Sequence, residues 1–255
     1  MYNSTIKGLG FYVPENTVTN NDLSELMDTS DEWIRARTGI KERRWVNDDK
    51  LTTSLMGTYA AERAIIDSEI EKKDIDFIIF STLSPDYYFP GSGVLLQRNL
   101  EIKEVGALDI RNQCSGFIYG LSIADQYIKS GMYKNILVVG SEIHSGGLDK
   151  STRGRSVSVI FGDGAGAAVV SATTSNSGIL STHLHSEGKF AEELAVIKPA
   201  TSFWIDKIKA ETNKDDTSYF PHMNGNFVFK SSSMDGSLFF NPSCTFPINA
   251  FIVVL

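Results

Sequence analysis

Cysteine is almost absent from this sequence: Cys114 and Cys244 are the only two in 255 residues. Two thiols so far apart build no disulfide framework, and no C-x-x-C spacing offers a metal-ligand set, so no metal is expected. A reducing, cytoplasmic setting follows as the default. Long hydrophobic runs are also missing. The longest fall well short of the roughly 20 apolar residues of a membrane helix, and no membrane association is expected. The opening MYNSTIKGLGFYVP lacks a long apolar region behind a basic end and does not read as a signal peptide. Positive charge is in deficit, with 24 Lys and Arg against 31 Asp and Glu and a net charge of −7. That balance argues against a nucleic-acid partner, since phosphate binding needs a basic field. The one basic cluster, Lys41-Glu42-Arg43-Arg44, reads as a solvated face without function. No short repeat or low-complexity tract is present.

What remains is an alternation of buried-looking strands and amphipathic helices. DFIIFSTL (76–83), VGALDIR (105–111) and NILVVGSEI (135–143) are short, apolar and rich in β-branched residues, as buried strands are. VSVIFGDGAGAAVVSAT (157–173) reads as two strands around a Gly-rich turn, and GILSTHLHS (178–186) as another. Leu55, Met56, Tyr59, Ala60 and Ala64 recur at helical spacing. The pattern predicts an α/β fold with helices packed on a sheet. The glycines of FGDGAGAA are followed by β-like residues rather than a helix, so they read as a strand turn and not a dinucleotide site.

Cys114 ends one of the extended runs, where a helix should begin. Phe117, Leu121, Ala124 and Ile128 form one helical stripe, with Asp125, Lys129 and Ser130 off it and Gly131 as the stop. The thiol then sits at or before a first helical turn, whose free N–H groups and dipole favour an anion and should lower its pKa. Ser115 and Gly116 leave room beside the sulfur. Placement alone leaves two readings open, a nucleophile at a strand-to-helix turn or a buried structural thiol.

Three segments, DTSDEWIRARTGIKERR (28–44), QCSGFIYGLSIADQYIKSG (113–131) and FGDGAGAAVV (161–170), together resemble the β-ketoacyl-acyl-carrier-protein synthase III family, in order and at suitable separations. The resemblance implies a thiolase-like layered α/β fold, with helices packed on mixed sheets, and a condensing acyltransferase that starts fatty-acid synthesis. It implies that Cys114 is the acyl-accepting nucleophile and that acyl-coenzyme A is a substrate rather than a resident cofactor. It places coenzyme A at Thr29, Trp33, Arg37 and a second arginine before FGDGAG. Ungapped spacing gives Arg155 for that arginine, and the local RG pattern gives Arg153. Independently of the resemblance, Thr29 and Glu32 have the spacing of a helix capping box. The family's loop YYFPGSG (87–93) puts Phe89 across a homodimer interface into the partner's acyl pocket; the local reading is a loop aromatic buried in its own subunit. Malonyl-acyl-carrier protein is the implied second substrate.

The family also implies a His and an Asn, in H-x-A-N-like and G-N-x-like contexts, as donors to the enolate of the decarboxylated malonyl group. Neither motif occurs, and none of His144, His183, His185 and His222 stands in such a place. The resemblance fades near Lys230. Residues 1–173 are expected to form a complete first half, 174–230 the start of a second half, and 231–255 an aberrant tail from a truncated or shifted frame. Two other functions stay open. One is a non-catalytic remnant that at most self-acylates or binds acyl thioesters. The other is a related acyltransferase or alkylquinolone-type condensing enzyme.

Overall fold

In the computed structural model, residues 2–197, 220 and 222–225 are described. Most of the polar stretch at 198–222, the whole tail from Ser231, and Cys244 lie outside them. The chain opens with β1 (Asn3–Tyr12), β2 (Thr17–Thr19), α1 (Asn20–Ser24), α2 (Asp31–Thr38) and β3 (Glu42–Arg44). Next come α3 (Thr53–Ser68), β4 (Phe77–Ser81), α4 (Ser92–Leu100), β5 (Gly106–Ile110) and α5 (Gly116–Lys129). Then follow β6 (Asn135–Glu142), α6 (Arg155–Ser158), β7 (Gly164–Thr173), β8 (Leu194–Ala195) and β9 (His222–Met223).

Five strands form one mixed sheet in the order β1-β7-β6-β4-β5. The three apolar runs read as buried strands are its parallel part, with β4 flanked by β5 and β6. β4 and β6 are buried as expected, but β5 is an edge strand with no buried residue. β7 runs antiparallel to both β6 and β1. α3 and α4 cover one face, where Met56, Phe80, Leu96 and Leu137 are buried; α5 covers the other, over Ile79, Ile136, Val138 and Val170. Each such side chain, fully buried, contributes roughly 1.5–3 kcal/mol. Close approach fixes Gly10 of β1, because a Cβ there would stand 2.2 Å from the Ala60 carbonyl of α3. A third cluster, with Leu23, Ile34, Trp45 and Val157, joins α1, α2 and α6.

Several expectations fail for identifiable reasons. The segment 157–173 holds one strand rather than two. Its first part folds as α6 and a turn, with Val157 and Val159 buried against Ile34 and Trp45 rather than laid on the sheet. Residues 178–186 form no strand: both edges of β7 are taken by β1 and β6, and Leu180 is 80% exposed. The capping box expected of Thr29 and Glu32 is absent. Ser30 caps α2 instead, its Oγ accepting from the Trp33 N–H at 3.1 Å. Asp125 is not on an outer face but 1% exposed, because Ser4 Oγ donates to it at 2.5 Å and Lys129 Nζ at 2.9 Å. Arg43, expected in a solvated cluster, is 6% exposed. The C-terminal stop of α5 is where it was expected, with Gly131 at φ +79° donating to the Ile128 carbonyl.

Candidate active site

The three parallel strands end together, and Cys114 lies just past one of these carboxyl ends. After β5 the chain makes a single 3₁₀ turn, Gln113–Ser115, and enters α5. Cys114 sits in that turn and is exposed. Ser115 Oγ donates to the Asn112 carbonyl and accepts from Asn112 Nδ2, both at 3.1 Å, which braces the turn. Gly116 lets α5 begin directly against β4: a Cβ there would fall 1.9 Å from Ser81 Oγ. Farther along α5, Gly120, Ala124 and Ile128 are buried at four-residue spacing and carry the helix onto the sheet. The strand-to-helix cysteine turn read from the sequence is present.

Its electrostatics differ from the expectation. The Cys114 thiol is pushed up, first by burial of the sulfur on its protein side and further by the negative charge of Glu142; the hydrogen bond from its own backbone N–H opposes both. Desolvation therefore outweighs that backbone hydrogen bond. Glu142, the last residue of β6, is 7% exposed. Burial also raises its own pKa, against the charge of His144 and hydrogen bonds from Ser84 Oγ at 2.8 Å and the Leu83 N–H at 2.6 Å. Sequence reasoning passed over Glu142, although an acid closing the apolar run NILVVGSEI was a visible signal. Among the described residues no histidine contributes to the shift of Cys114.

These directions fix an expected result. A raised thiol pKa means less thiolate at neutral pH, so iodoacetamide should label Cys114 more slowly at pH 7 than it labels a free cysteine. The half-maximal rate should lie above the ordinary thiol pKa of about 8.5. Glu142→Gln removes the like charge and should move that midpoint down. A midpoint below about 8 in the unaltered chain would contradict the desolvated thiol.

A second group gathers around Trp33. The Arg37 guanidinium lies 4.3 Å from the Trp33 ring centroid, and that of Arg155 lies 4.7 Å from it. Arg155 comes from α6, far along the chain, and is held there by the Asp28 carbonyl and by the Asp28 carboxylate at 3.8 Å. Arg153 turns elsewhere: its Nε donates to Asp149 at 2.5 Å and its guanidinium lies over Phe220. Of the two arginines left open by the sequence, Arg155 is the one beside Trp33. Thr29 Oγ1, on the same segment, is buried without a hydrogen-bond partner among the described residues. Phe89 is not tucked into its own subunit but 81% exposed at the tip of the loop after β4, with Tyr88 at 75%. Carboxylates hold the base of that loop, Asp86 accepting from Ser54 Oγ and Ser92 Oγ at 2.8 Å each.

A groove of about 660 Å³ opens at the opposite end of the sheet, between Lys7, Asp76 and Lys134, and contains none of these residues. Among the described residues no cluster of His, Cys, Asp and Glu is placed to hold a metal, and no helix is long and apolar enough to cross a membrane.

Residues 108–188, from β5 through the cysteine turn to just beyond β7, match the family model of 3-oxoacyl-[acyl-carrier-protein] synthase III. The chain is 46% identical over 227 residues to β-ketoacyl-[acyl-carrier-protein] synthase III 1 of Vibrio parahaemolyticus, covering 89% of this chain and 67% of the relative. It is 48% identical over 195 residues to the Ehrlichia canis synthase III, covering 76% of this chain and 60% of that one. The crystal structure of the Aquifex aeolicus synthase III superposes with a TM-score of 0.78 at 41% identity, over 89% of this chain and 67% of that one. The chain thus spans about two thirds of the length of the relatives it matches. With the cysteine turn inside the matched region and the thiolase-like layering shared with these structures, the chain belongs to the β-ketoacyl-acyl-carrier-protein synthase III family of condensing acyltransferases.

Proposed function

We propose that Cys114 takes an acyl group from acyl-coenzyme A and passes it to the carbanion formed when malonyl-acyl-carrier protein loses carbon dioxide, the step that starts fatty-acid synthesis. The observation that carries this is the place of Cys114, on a braced turn at the carboxyl end of β5 and the start of α5. The thiolate attacks the thioester carbonyl carbon. A new C–S bond forms at Cys114, the bond to coenzyme A breaks, and the departing thiolate takes up the proton that the Cys114 thiol gave away. The free N–H groups of the first turn of α5 face the charge that builds on the carbonyl oxygen.

Coenzyme A enters as a substrate, held by the Trp33, Arg37 and Arg155 group. An indole face suits the adenine ring and guanidinium groups suit phosphate. Thr29, whose buried hydroxyl lacks a partner among the described residues, supplies a further polar contact. The exposed Phe89 fits insertion across a homodimer interface into the partner's acyl pocket, and the cytoplasm is the setting. The second half-reaction needs two oxyanion donors, which the family draws from a His and an Asn in motifs that do not occur in this sequence.

The nucleotide site is tested by calorimetry with coenzyme A. Trp33→Ala, Arg37→Ala and Arg155→Ala should each weaken binding about tenfold or more, as loss of a charge-assisted or stacking contact does. Arg153→Ala should stay within about twofold. Equal losses at Arg153 and Arg155 would remove the assignment of Arg155.

A further inference from the structure

Two buried polar side chains connect the helix that carries Trp33 to the helix that carries Arg155. Asn20 is 2% exposed and Arg43 is 6% exposed. The Asn20 amide Nδ2 donates to Asp31 Oδ1 at 2.8 Å and to the Ile40 carbonyl at 2.7 Å. Asp31 is the first residue of α2, and Ile40 follows Gly39, its C-terminal cap. One amide group therefore grips both ends of the eight-residue helix that presents Trp33 and Arg37.

The other end of the same amide faces Arg43. Asn20 Oδ1 accepts from Arg43 Nη2 at 2.8 Å, and Nη2 also donates to the Val159 carbonyl at 3.0 Å. Val159 caps the C-terminus of α6, and its N–H returns to the Arg155 carbonyl at 3.4 Å. Arg43 Nη1 donates to the Val18 carbonyl of β2 at 3.2 Å. Among the described residues no carboxylate is hydrogen-bonded to this guanidinium, and its Nε has no partner. A buried cation whose hydrogen-bond acceptors are all neutral, favoured only through space by Asp22 and Glu42, is costly to keep. Packing of α1, α2 and α6 on one another does not rest on it alone, since Leu23, Ile34 and Val157 form an apolar cluster around this junction.

We propose that the Arg43–Asn20 pair is a positioning device for coenzyme A, setting the separation between Trp33 on α2 and Arg155 on α6. This rests on the coenzyme A reading of Trp33 and Arg155. Neither residue of the pair touches the nucleotide; each acts through the helix it holds. Asn20 holds α2 at both ends, and Arg43 ties Asn20 to the cap of α6.

The test uses the full chain, coenzyme A as the probe, and two variants that break the link at different points. Arg43→Met removes the tie to α6 without stranding a charge. Asn20→Asp keeps a partner for Arg43 but loses the amide donors that grip α2. In both, calorimetric affinity for coenzyme A should fall about tenfold or more, the loss expected when charge-assisted contacts no longer hold a site together. The rate at which acetyl-N-acetylcysteamine, a thioester without the nucleotide, acylates Cys114 should follow the unaltered chain. Arg43→Lys, with the charge but not the fork, should not restore affinity. Trp33→Ala serves as the control for the underlying reading. If it weakens binding while Arg43→Met and Asn20→Asp stay within about twofold of the unaltered chain, the positioning role is overturned and the nucleotide site stands. If Trp33→Ala leaves affinity unchanged, the coenzyme A reading falls and the inference with it. Parallel loss of coenzyme A binding and of the nucleotide-free reaction would mean that the pair only supports the fold, and would also overturn the proposal.

Discussion

Incubated with acetyl-coenzyme A, the 255-residue chain should gain the mass of one acetyl group, and Cys114→Ser should gain none. The loss is complete because the adduct is a thioester of one sulfur, and a serine hydroxyl has no comparable anion near neutral pH. Acylation should be slow and should accelerate as pH rises, since burial and Glu142 both hold the thiol in its protonated form. Intact-protein mass spectrometry reads the adduct, and peptide mapping places it. A full-yield adduct in Cys114→Ser would assign the acyl group to another residue and end the nucleophile reading. The same sample, given malonyl-acyl-carrier protein, separates the two half-reactions. The sequence holds no H-x-A-N motif to stabilise the enolate. Losing one such donor costs about two to three orders of magnitude in rate, so acylation without ketoacyl product is expected. Ketoacyl product from this chain would show that the enolate is stabilised by groups other than that motif.

Asp163→Ala should cost about 3–5 kcal/mol of folding stability, the loss typical of breaking a buried charged network. Asp163 is 1% exposed. Its Oδ1 accepts from the His144 and Ser145 N–H groups at 2.8 and 2.9 Å, and its Oδ2 from the Val46 N–H at 2.7 Å. Alanine would leave three buried or part-buried backbone donors without their acceptor. Asp163→Asn keeps one acceptor oxygen and should lose about half as much. A urea titration measures both. A shift worth less than about 1 kcal/mol for the alanine variant would show that the three donors find other acceptors. The Asp163 carboxylate thus gives FGDGAG its part here: it gathers the segments after β3 and β6 onto the start of β7.

The parts of this site legible in the sequence are those set by local pattern. β4, β5 and β6 were readable as strands because each is a short, largely apolar run, though the expected burial failed for the edge strand β5. The helix behind Cys114 was readable because its small and apolar residues repeat at helical spacing. β1 escaped because only Ser4 and Gly8 of its ten residues are buried, its register shifts between Ile6 and Gly8, and it lies at the sheet edge. Arg43 looked like one of four charges on a surface. Its acceptors come from Val18, Asn20 and Val159, and no window of sequence holds all three. Which of Arg153 and Arg155 lies beside Trp33 likewise depends on Asp28, more than a hundred residues away in sequence. The thiol shift of Cys114 was misread for a related cause. A helix N-terminus is visible in sequence, but the protein packed beside the sulfur and the acid at the end of a neighbouring strand are not.

The strand order β1-β7-β6-β4-β5 also has a consequence for the time at which the molecule can close. Asn3 pairs with Thr173, so the first strand made waits for the last strand of the sheet. At ordinary synthesis rates that interval is on the order of ten to thirty seconds. In that interval β4, β5 and α5 can meet through contacts close in sequence, whereas β1 has no strand partner and only α3 and the Asp125 side of α5 to rest against. Pairings this distant carry the largest loop-closure cost and are expected to form late. The nascent chain therefore carries its cysteine turn in place well before its first strand is secured. Chaperone demand should fall sharply once residue 173 clears the ribosome.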